Sequence, residues 1–176
     1  RLLGPQGRGE LAAMQSWVTV IGAIATLGLS ESVVYFGIRF PQKISTYLIT
    51  SYIPFAVSSF ISILLGWFIL PITLQSQSVE VVNAARILLL FMIPINGLFI
   101  AYESLRAYGA WKSWNVLKVV PHILWIVIIS LAFYIPGWRN ATTIIKYYPG
   151  VFFIQAILSI FFIVKIDHPI QISVNR

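Results

Sequence analysis

The chain contains no cysteine among its 176 residues, and charged residues make up only 10% of the sequence. Without cysteine there is no disulfide, no thiolate metal ligand and no cysteine nucleophile. His122 and His168 are the two histidines, and neither belongs to a motif with metal-ligand spacing. The glycine-containing motif GPQGRG follows no predicted strand and therefore does not indicate a phosphate loop. We predict no metal, no cofactor and no enzymatic activity.

The chain does contain long runs of residues without a charged side chain. Hydrophobic residues make up 59% of the chain, and its mean hydropathy is +0.87. A helix needs roughly 20 apolar residues to cross about 30 Å of hydrocarbon. Five intervals of 16 to 36 residues contain no charged side chain: 11–30, 44–79, 87–102, 119–138 and 147–164. The pattern predicts an all-α, polytopic transmembrane helix bundle, because a soluble helix would keep one polar face.

The polar segments divide this bundle into five predicted spans within one transmembrane domain, 1–176. The glycine-rich start predicts a turn, with the first helix beginning near Leu11. Trp111 and Trp114 are predicted to lie in a connector, 109–118, as aromatic residues at the membrane interface. The predicted spans are 11–38, 44–74, 81–105, 116–134 and 143–166.

The 12 lysines and arginines are scattered at the ends of the spans, so the net charge of +7 does not indicate nucleic-acid binding. Seven fall on one side of the predicted membrane: Arg39, Lys43, Arg106, Lys112, Lys118, Lys165 and Arg176. Five fall on the other: Arg1, Arg8, Arg86, Arg139 and Lys146. The positive-inside rule therefore places the first set in the cytoplasm and the start of the chain outside.

A few polar residues inside the spans are candidates for function. A charge at mid-bilayer costs about 2.5 to 3.5 kcal/mol on insertion scales, so Glu31, Arg86 and Glu103 each require a compensating environment. On an ideal helix Asn96 and Glu103 lie about 20° apart on one face, and Arg106 follows one turn later. The third span therefore carries a polar stripe.

Two interpretations of these residues remain open. In the functional one, the stripe lines a hydrophilic cavity, Arg86 and Arg106 hold an anionic head group, and Glu31 or Glu103 balances the charge. In the structural one, Glu103 and Arg106 simply pair at the interface and Arg86 extends its long stem outward. Glu31 would then be satisfied by a hydrogen bond, provided that it is protonated.

Three segments resemble bacterial polysaccharide-export flippases of the Wzx type. They are LLGPQGRGELAA at 2–13, LGLSESVVYFGIR at 27–39 and YESLRAYGAWKSWNVLKVVPHILWIV at 102–127. These flippases belong to the multidrug/oligosaccharidyl-lipid/polysaccharide exporter superfamily. The resemblance implies that the five spans are helices two to six of a six-helix N-terminal lobe, with one helix before Arg1 and a second lobe after Arg176. It also implies a multi-pass protein of the bacterial plasma (inner) membrane.

The function implied by the resemblance is the flipping of polyprenyl-diphosphate-linked oligosaccharide by alternating access, for cell-surface polysaccharide such as O-antigen of lipopolysaccharide. Partners would be the lipid-linked oligosaccharide, membrane lipid and a coupling ion, H⁺ or Na⁺. The candidate substrate-binding residues are Arg86, Arg106, Asn96, Glu31 and Glu103. Alternatives are an ion-coupled multidrug antiporter of the same superfamily, in which Glu31 binds the ion, a non-transporting membrane subunit, and a membrane-embedded polyprenyl-dependent transferase.

Overall fold

The computed structural model describes residues 3–165, except for the side chain of Pro136, and every regular element in this range is helical. This confirms the all-α prediction. The α-helices are α1 Gly4–Thr26, α2 Leu29–Arg39, α3 Ile44–Thr73, α4 Val79–Ala107, α5 Trp111–Tyr134, α6 Ala141–Ile144 and α7 Tyr148–Val164. Short 3-10 helices occupy Pro41–Lys43, Pro136–Trp138 and Ile145–Tyr147. The end of the predicted fifth span at residue 166 and the tail with His168 lie outside the described residues.

Four helical segments are long and apolar enough to cross a membrane, and the count rises to five if α1 and α2 form one bent span. The four are Pro41–Thr73, Val79–Ala107, Trp111–Tyr134 and Ala141–Val164. Large apolar side chains remain exposed along α3 and α5, for example Phe60 at 70% and Ile126 at 64%. Such a surface is compatible with a multi-pass membrane protein, because lipid takes the place of water around it.

The first predicted span differs from the structure in two ways. The helix begins at Gly4 and not near Leu11, because Pro5 at the start of a helix needs no N–H partner and already has a helical φ. The span then breaks at Leu27 and Gly28, which both adopt left-handed backbone conformations, and α2 continues at 42° to α1. Ser58 of α3 donates a hydrogen bond to the carbonyl oxygen of Ala25 at this break.

Two later boundaries also differ from the prediction. The fourth span begins at Trp111, so most of the predicted connector 109–118 is helical, and only a short turn that includes Gly109 with φ of 73° separates α4 from α5. The fifth span is broken into α6, the 3-10 helix Ile145–Tyr147 and α7. Pro149 lies in the first turn of α7, where its missing N–H is tolerated.

The core is built around α4, which packs against α1, α2, α3, α5 and α7. It is the most buried of the four candidate spans, with 56% of its apolar stretch inside the bundle, against 17 to 28% for the others. Met14, Leu70, Leu89 and Ile93 are fully buried where α1, α3 and α4 meet. Side chains on this one central helix therefore face most of the other elements.

Close contact between α2 and α4 depends on a small residue. A Cβ atom added at Gly37 would lie 2.8 Å from the Cβ of Ala107 and 3.1 Å from a side-chain carbon of Ile44. Glycine is the residue that lets two helix backbones approach this closely. The approach brings the side chains of α2 within reach of the C-terminal turns of α4.

Interior prolines leave specific carbonyl groups without their helical donor. Proline at position i removes the hydrogen bond to the carbonyl of residue i−4. In α5, Pro121 therefore frees the carbonyl oxygen of Leu117, and the amide of Gln155 in α7 donates to that oxygen at 3.0 Å. A buried polar side chain on a neighbouring helix thus restores a hydrogen bond that the helix itself cannot make.

Candidate functional site

A charged cluster lies between α2 and α4, where Arg106 pairs with two carboxylates. Its Nη1 donates to Oε1 of Glu31 at 3.0 Å and to Oε2 of Glu103 at 3.1 Å. Glu103 precedes Arg106 by one turn of α4, whereas Glu31 belongs to a different helix, 75 positions earlier in the chain. We call Glu31, Glu103, Arg106 and the ring of Trp114 the Arg106 cluster.

Trp114 of α5 completes the cluster. Its indole Nε1 donates to Oε2 of Glu103 at 3.2 Å, and the guanidinium carbon of Arg106 lies 5.6 Å from its ring centre. Nζ of Lys118, one turn further along α5, lies 5.0 Å from the same ring. Tyr102 stacks on Trp114 with ring centres 6.0 Å apart. Cations over an indole face are stabilised by the ring quadrupole, so the Trp114 ring contributes to holding both Arg106 and Lys118.

The break between α1 and α2 explains how the carboxylate of Glu31 comes to lie beside Arg106, well away from the C-terminal end of α2. Since α2 starts at Leu29, Glu31 lies in the first turn of a helix, where the backbone N–H groups favour negative charge. Glu31 lies eight positions before Arg39, the last residue of α2, which corresponds to about 12 Å along the axis. Arg106 lies near the C-terminus of α4, and helical side chains point back toward the N-terminus, so its guanidinium reaches inward to Glu31.

The three charged members of the cluster differ in exposure. The side chain of Glu31 is 68% exposed, whereas those of Glu103 and Arg106 are 21% and 25% exposed. Glu103 accepts hydrogen bonds from Arg106 of α4 and Trp114 of α5, whereas most of the Glu31 side chain is exposed. The Nε of Arg106 is buried and has no hydrogen-bond partner within residues 3–165. The cluster therefore has a less exposed inner pair, Glu103 and Arg106, and an exposed outer carboxylate, Glu31.

Asn96 lies in a separate cleft of about 290 Å³ between α1, α4 and α7. Its amide packs directly against Gly22, at a position where a side chain on residue 22 would clash. The remaining lining is mainly apolar: Val18, Thr19, Ala23, Thr26, Met92, Phe99, Tyr148 and Phe152. Phe99 also contacts Tyr102, with ring centres 6.0 Å apart. A row of aromatic rings thus connects the Asn96 cleft with the Arg106 cluster.

Arg86 lies apart from both, on the face of α4 that packs against α3. Its Nε and Nη2 donate to the carbonyl oxygen of Trp67 at 3.2 and 3.1 Å, and its guanidinium carbon lies 4.8 Å from the Trp67 ring centre. Pro71 is four residues after Trp67, so this carbonyl has no helical donor. The guanidinium of Arg86 donates in place of the missing N–H of Pro71. Its role in the structure is therefore to satisfy the backbone of α3.

Of the five residues predicted for the site, the structure brings Glu31, Glu103 and Arg106 together. Asn96 borders a neighbouring cleft, and Arg86 contacts α3. Trp114 was predicted only as an interfacial aromatic, so its contact with Glu103 was missed. The signal that could have found it is the short α4–α5 turn, because residues shortly before and after a tight turn between antiparallel helices are neighbours. Residues 3–165 contain no group of three or more acidic or histidine side chains placed to hold a metal ion.

The chain was compared with protein-family models, with curated proteins and with solved structures, and none of the three comparisons gave a match.

Proposed function

We propose that the protein moves an anionic lipid-linked sugar, a polyprenyl-diphosphate-linked oligosaccharide, across the plasma (inner) membrane of a bacterium by alternating access. The observation that supports this most is the Arg106 cluster, in which a guanidinium with two carboxylate partners lies over the Trp114 ring, together with the exposed ammonium of Lys118 beside the same ring. The resemblance of three segments to polysaccharide-export flippases gives the substrate class. No covalent step is required.

Arg106 suits a diphosphate because a guanidinium presents several N–H donors in a planar fork that matches phosphate oxygens. Its contact with the exposed Glu31 can be exchanged, whereas Glu103 is also held by Trp114. In the proposed cycle the diphosphate replaces the Glu31 carboxylate on Arg106. Glu103 stays in place and keeps the guanidinium oriented, and Lys118 supplies a second positive charge.

The break between α1 and α2 supports a moving element. Discontinuous helices near the middle of the bilayer are a recurring feature of transporters, where free helix ends face substrates and ions. The 11 residues of α2 place the break about 17 Å from the C-terminus of that helix, which is close to half of a hydrocarbon core about 30 Å thick. Leu27, with φ of 48°, holds a backbone conformation that non-glycine residues rarely adopt.

A second candidate, the ion-coupled antiporter, is favoured by one observation. Two carboxylates share a single arginine, and the more exposed of them, Glu31, is placed to take up a proton or a cation. In that mechanism Glu31 is obligatory, whereas in the flippase mechanism it is only a carboxylate that the diphosphate replaces. The two candidates therefore differ in what they expect of a single substitution.

The test uses the purified protein in proteoliposomes that contain a fluorescent polyprenyl-diphosphate-linked sugar. Flipping is measured as the fraction of label that becomes accessible to a membrane-impermeant quencher. We expect Arg106→Ala to slow flipping at least tenfold and Arg106→Lys to retain part of the rate. Arg8→Ala, an exposed arginine on α1, is the matched control and should leave the rate unchanged.

Flipping that is the same with Arg106→Ala as with Arg8→Ala would overturn the proposed role of the cluster. Glu31→Gln decides between the two candidates. Flipping that Glu31→Gln retains supports the flippase. Proton-driven export of a cationic dye by the unmodified protein, abolished by Glu31→Gln, supports the antiporter.

A further inference from the structure

A long apolar groove lies between α4 and α7, away from the Arg106 cluster. Its volume is about 660 Å³. The lining is formed by Leu90, Phe91, Pro94, Ile95, Leu98, Lys146, Pro149, Gly150 and Phe153. Among these residues Lys146 is the one that carries a charge. Phe91 and Phe153 are 58% and 50% exposed, so the groove opens to the surface of the bundle.

The groove continues along α4 in the direction of its N-terminus. A second cavity of about 310 Å³ shares Phe91, Lys146 and Pro149 with the first and extends it to Ala84. The stretch of α4 from Ala84 to Leu98 is about 21 Å long at 1.5 Å per residue. The groove is therefore long, and Lys146 lies where its two parts join.

The form of the fifth span explains the groove. The regular helix α7 begins only at Tyr148, after the 3-10 helix Ile145–Tyr147, and Gly150 in its first turn has no side chain. A Cβ atom added at Gly150 would meet nothing within 4 Å. The start of α7 thus leaves open space beside α4, where a larger residue would have filled the gap.

We propose that this groove binds an anionic phospholipid, with an acyl chain along α4 and the phosphate beside Lys146. The argument is complementarity: an apolar groove with a single cation, Lys146, where its two parts join matches a molecule with an apolar chain and one anionic group. Trp138 and Tyr147 stack with ring centres 4.3 Å apart beside Lys146, and Trp and Tyr residues are enriched at the level of lipid head groups. The proposal does not depend on the proposed transport.

The test measures lipid binding to the purified, delipidated protein by native mass spectrometry, with phosphatidylglycerol as the anionic probe and phosphatidylcholine as the zwitterionic one. We expect phosphatidylglycerol to bind more tightly. Lys146→Gln should weaken phosphatidylglycerol binding roughly fivefold, the effect of one lysine near an anionic lipid surface. Phosphatidylcholine binding should be unchanged. Lys112→Gln, an exposed lysine at the start of α5, is the matched control.

A second variant tests the apolar part of the groove without removing any packing contact. Gly150→Phe places a ring into open space and should reduce binding of both lipids about tenfold. Gly9→Phe, at a glycine of α1 that also has free space around it, is the matched control and should have no effect. A phosphatidylglycerol with a photoreactive acyl chain should crosslink to α4 and α7 in the unmodified protein and not in Gly150→Phe.

Three results would overturn the proposal. One is phosphatidylglycerol binding that Gly150→Phe leaves intact. Another is a loss with Lys146→Gln that is no larger than with Lys112→Gln. The third is crosslinking, from a photoreactive amino acid placed at Phe153, to a second copy of the chain or to another segment of the same chain, because the groove would then be a protein interface.

Discussion

Arg86 and Arg106 lie near opposite ends of α4, and their different partners show what decides the role of an arginine inside an apolar helix bundle. Arg86 donates to a single backbone carbonyl, that of Trp67, and lies over the Trp67 ring. Arg106 pairs with two carboxylates and lies over the ring of Trp114. Both arginines combine an acceptor with an indole face, so composition alone does not distinguish them.

The difference lies in where each acceptor comes from. The acceptor of Arg86 exists because Pro71 cannot donate, and it is a fixed part of the α3 backbone. One acceptor of Arg106, Glu31, is a flexible side chain that is 68% exposed. A ligand can take the place of an exposed carboxylate beside Arg106, whereas drawing Arg86 away would leave the Trp67 carbonyl without a donor. This is why we place the proposed substrate contact at Arg106 and leave Arg86 out of it.

The largest effect on stability is expected from Arg106→Ala. The substitution leaves Glu103 and Glu31 without their counter-charge, and we expect a loss of about 2 kcal/mol, between the values typical of exposed and buried pairs. Arg106→Ala combined with Glu103→Gln should recover most of that loss, because a neutral amide needs no cation. Thermal unfolding in detergent, followed by circular dichroism, measures both. A double variant no more stable than Arg106→Ala would contradict this account of the cluster.

The next effect is expected from Arg86→Ala, at about 1.5 kcal/mol, the usual size of a hydrogen bond from a charged donor. The substitution leaves the Trp67 carbonyl unpaired. In a Pro71→Ala background residue 71 has an N–H that can donate to this carbonyl, so Arg86→Ala should cost less than half as much there. The double-mutant cycle is measured by the same unfolding assay. Equal costs in the two backgrounds would show that Arg86 does not replace the proline's missing donor.

These contacts also show how far the sequence predicts the molecule. The absence of charge over five intervals predicted the main apolar helices, and the spacing of Glu103 and Arg106 predicted that they are neighbours on one helix. The rule for prolines identifies the carbonyls of Trp67 and Leu117 as unpaired. Which side chain reaches each carbonyl depends on how helices pack, and spacing along the chain does not contain that information.

The break at Leu27 and Gly28 was missed for a related reason. The segment contains no proline, and a single glycine in a helical pattern does not require the helix to end. Ser58, a residue of another helix, supplies the hydrogen bond that the broken segment needs at Ala25. The contact between Glu31 and Arg106 depends on this break, because it places Glu31 in the first turn of α2. The sequence alone could name both residues and could not pair them.

A smaller effect is expected from Gln155→Leu, a neutral counterpart of Arg86→Ala. The amide of Gln155 donates to the carbonyl of Leu117, which Pro121 leaves free, but its own Oε1 is buried and without a partner within the described residues. Leucine removes the favourable donor and the unfavourable acceptor together. We therefore expect a loss of less than about 1 kcal/mol, and less still in a Pro121→Ala background. A loss larger than that of Arg86→Ala would reverse the predicted ranking of charged and neutral donors.

The smallest effect on stability is expected from Glu31→Gln, which tests whether the outer carboxylate of the cluster is exchangeable. Glutamine keeps an oxygen that can accept from Arg106, and an exposed ion pair contributes at most about 1 kcal/mol. Glu103→Gln is the matched comparison, because Glu103 is less exposed and also accepts from Trp114. We expect Glu103→Gln to lower the unfolding temperature clearly more than Glu31→Gln. If the two substitutions lowered it equally, Glu31 would be as firmly held as Glu103, and a diphosphate could not displace it from Arg106 at low cost.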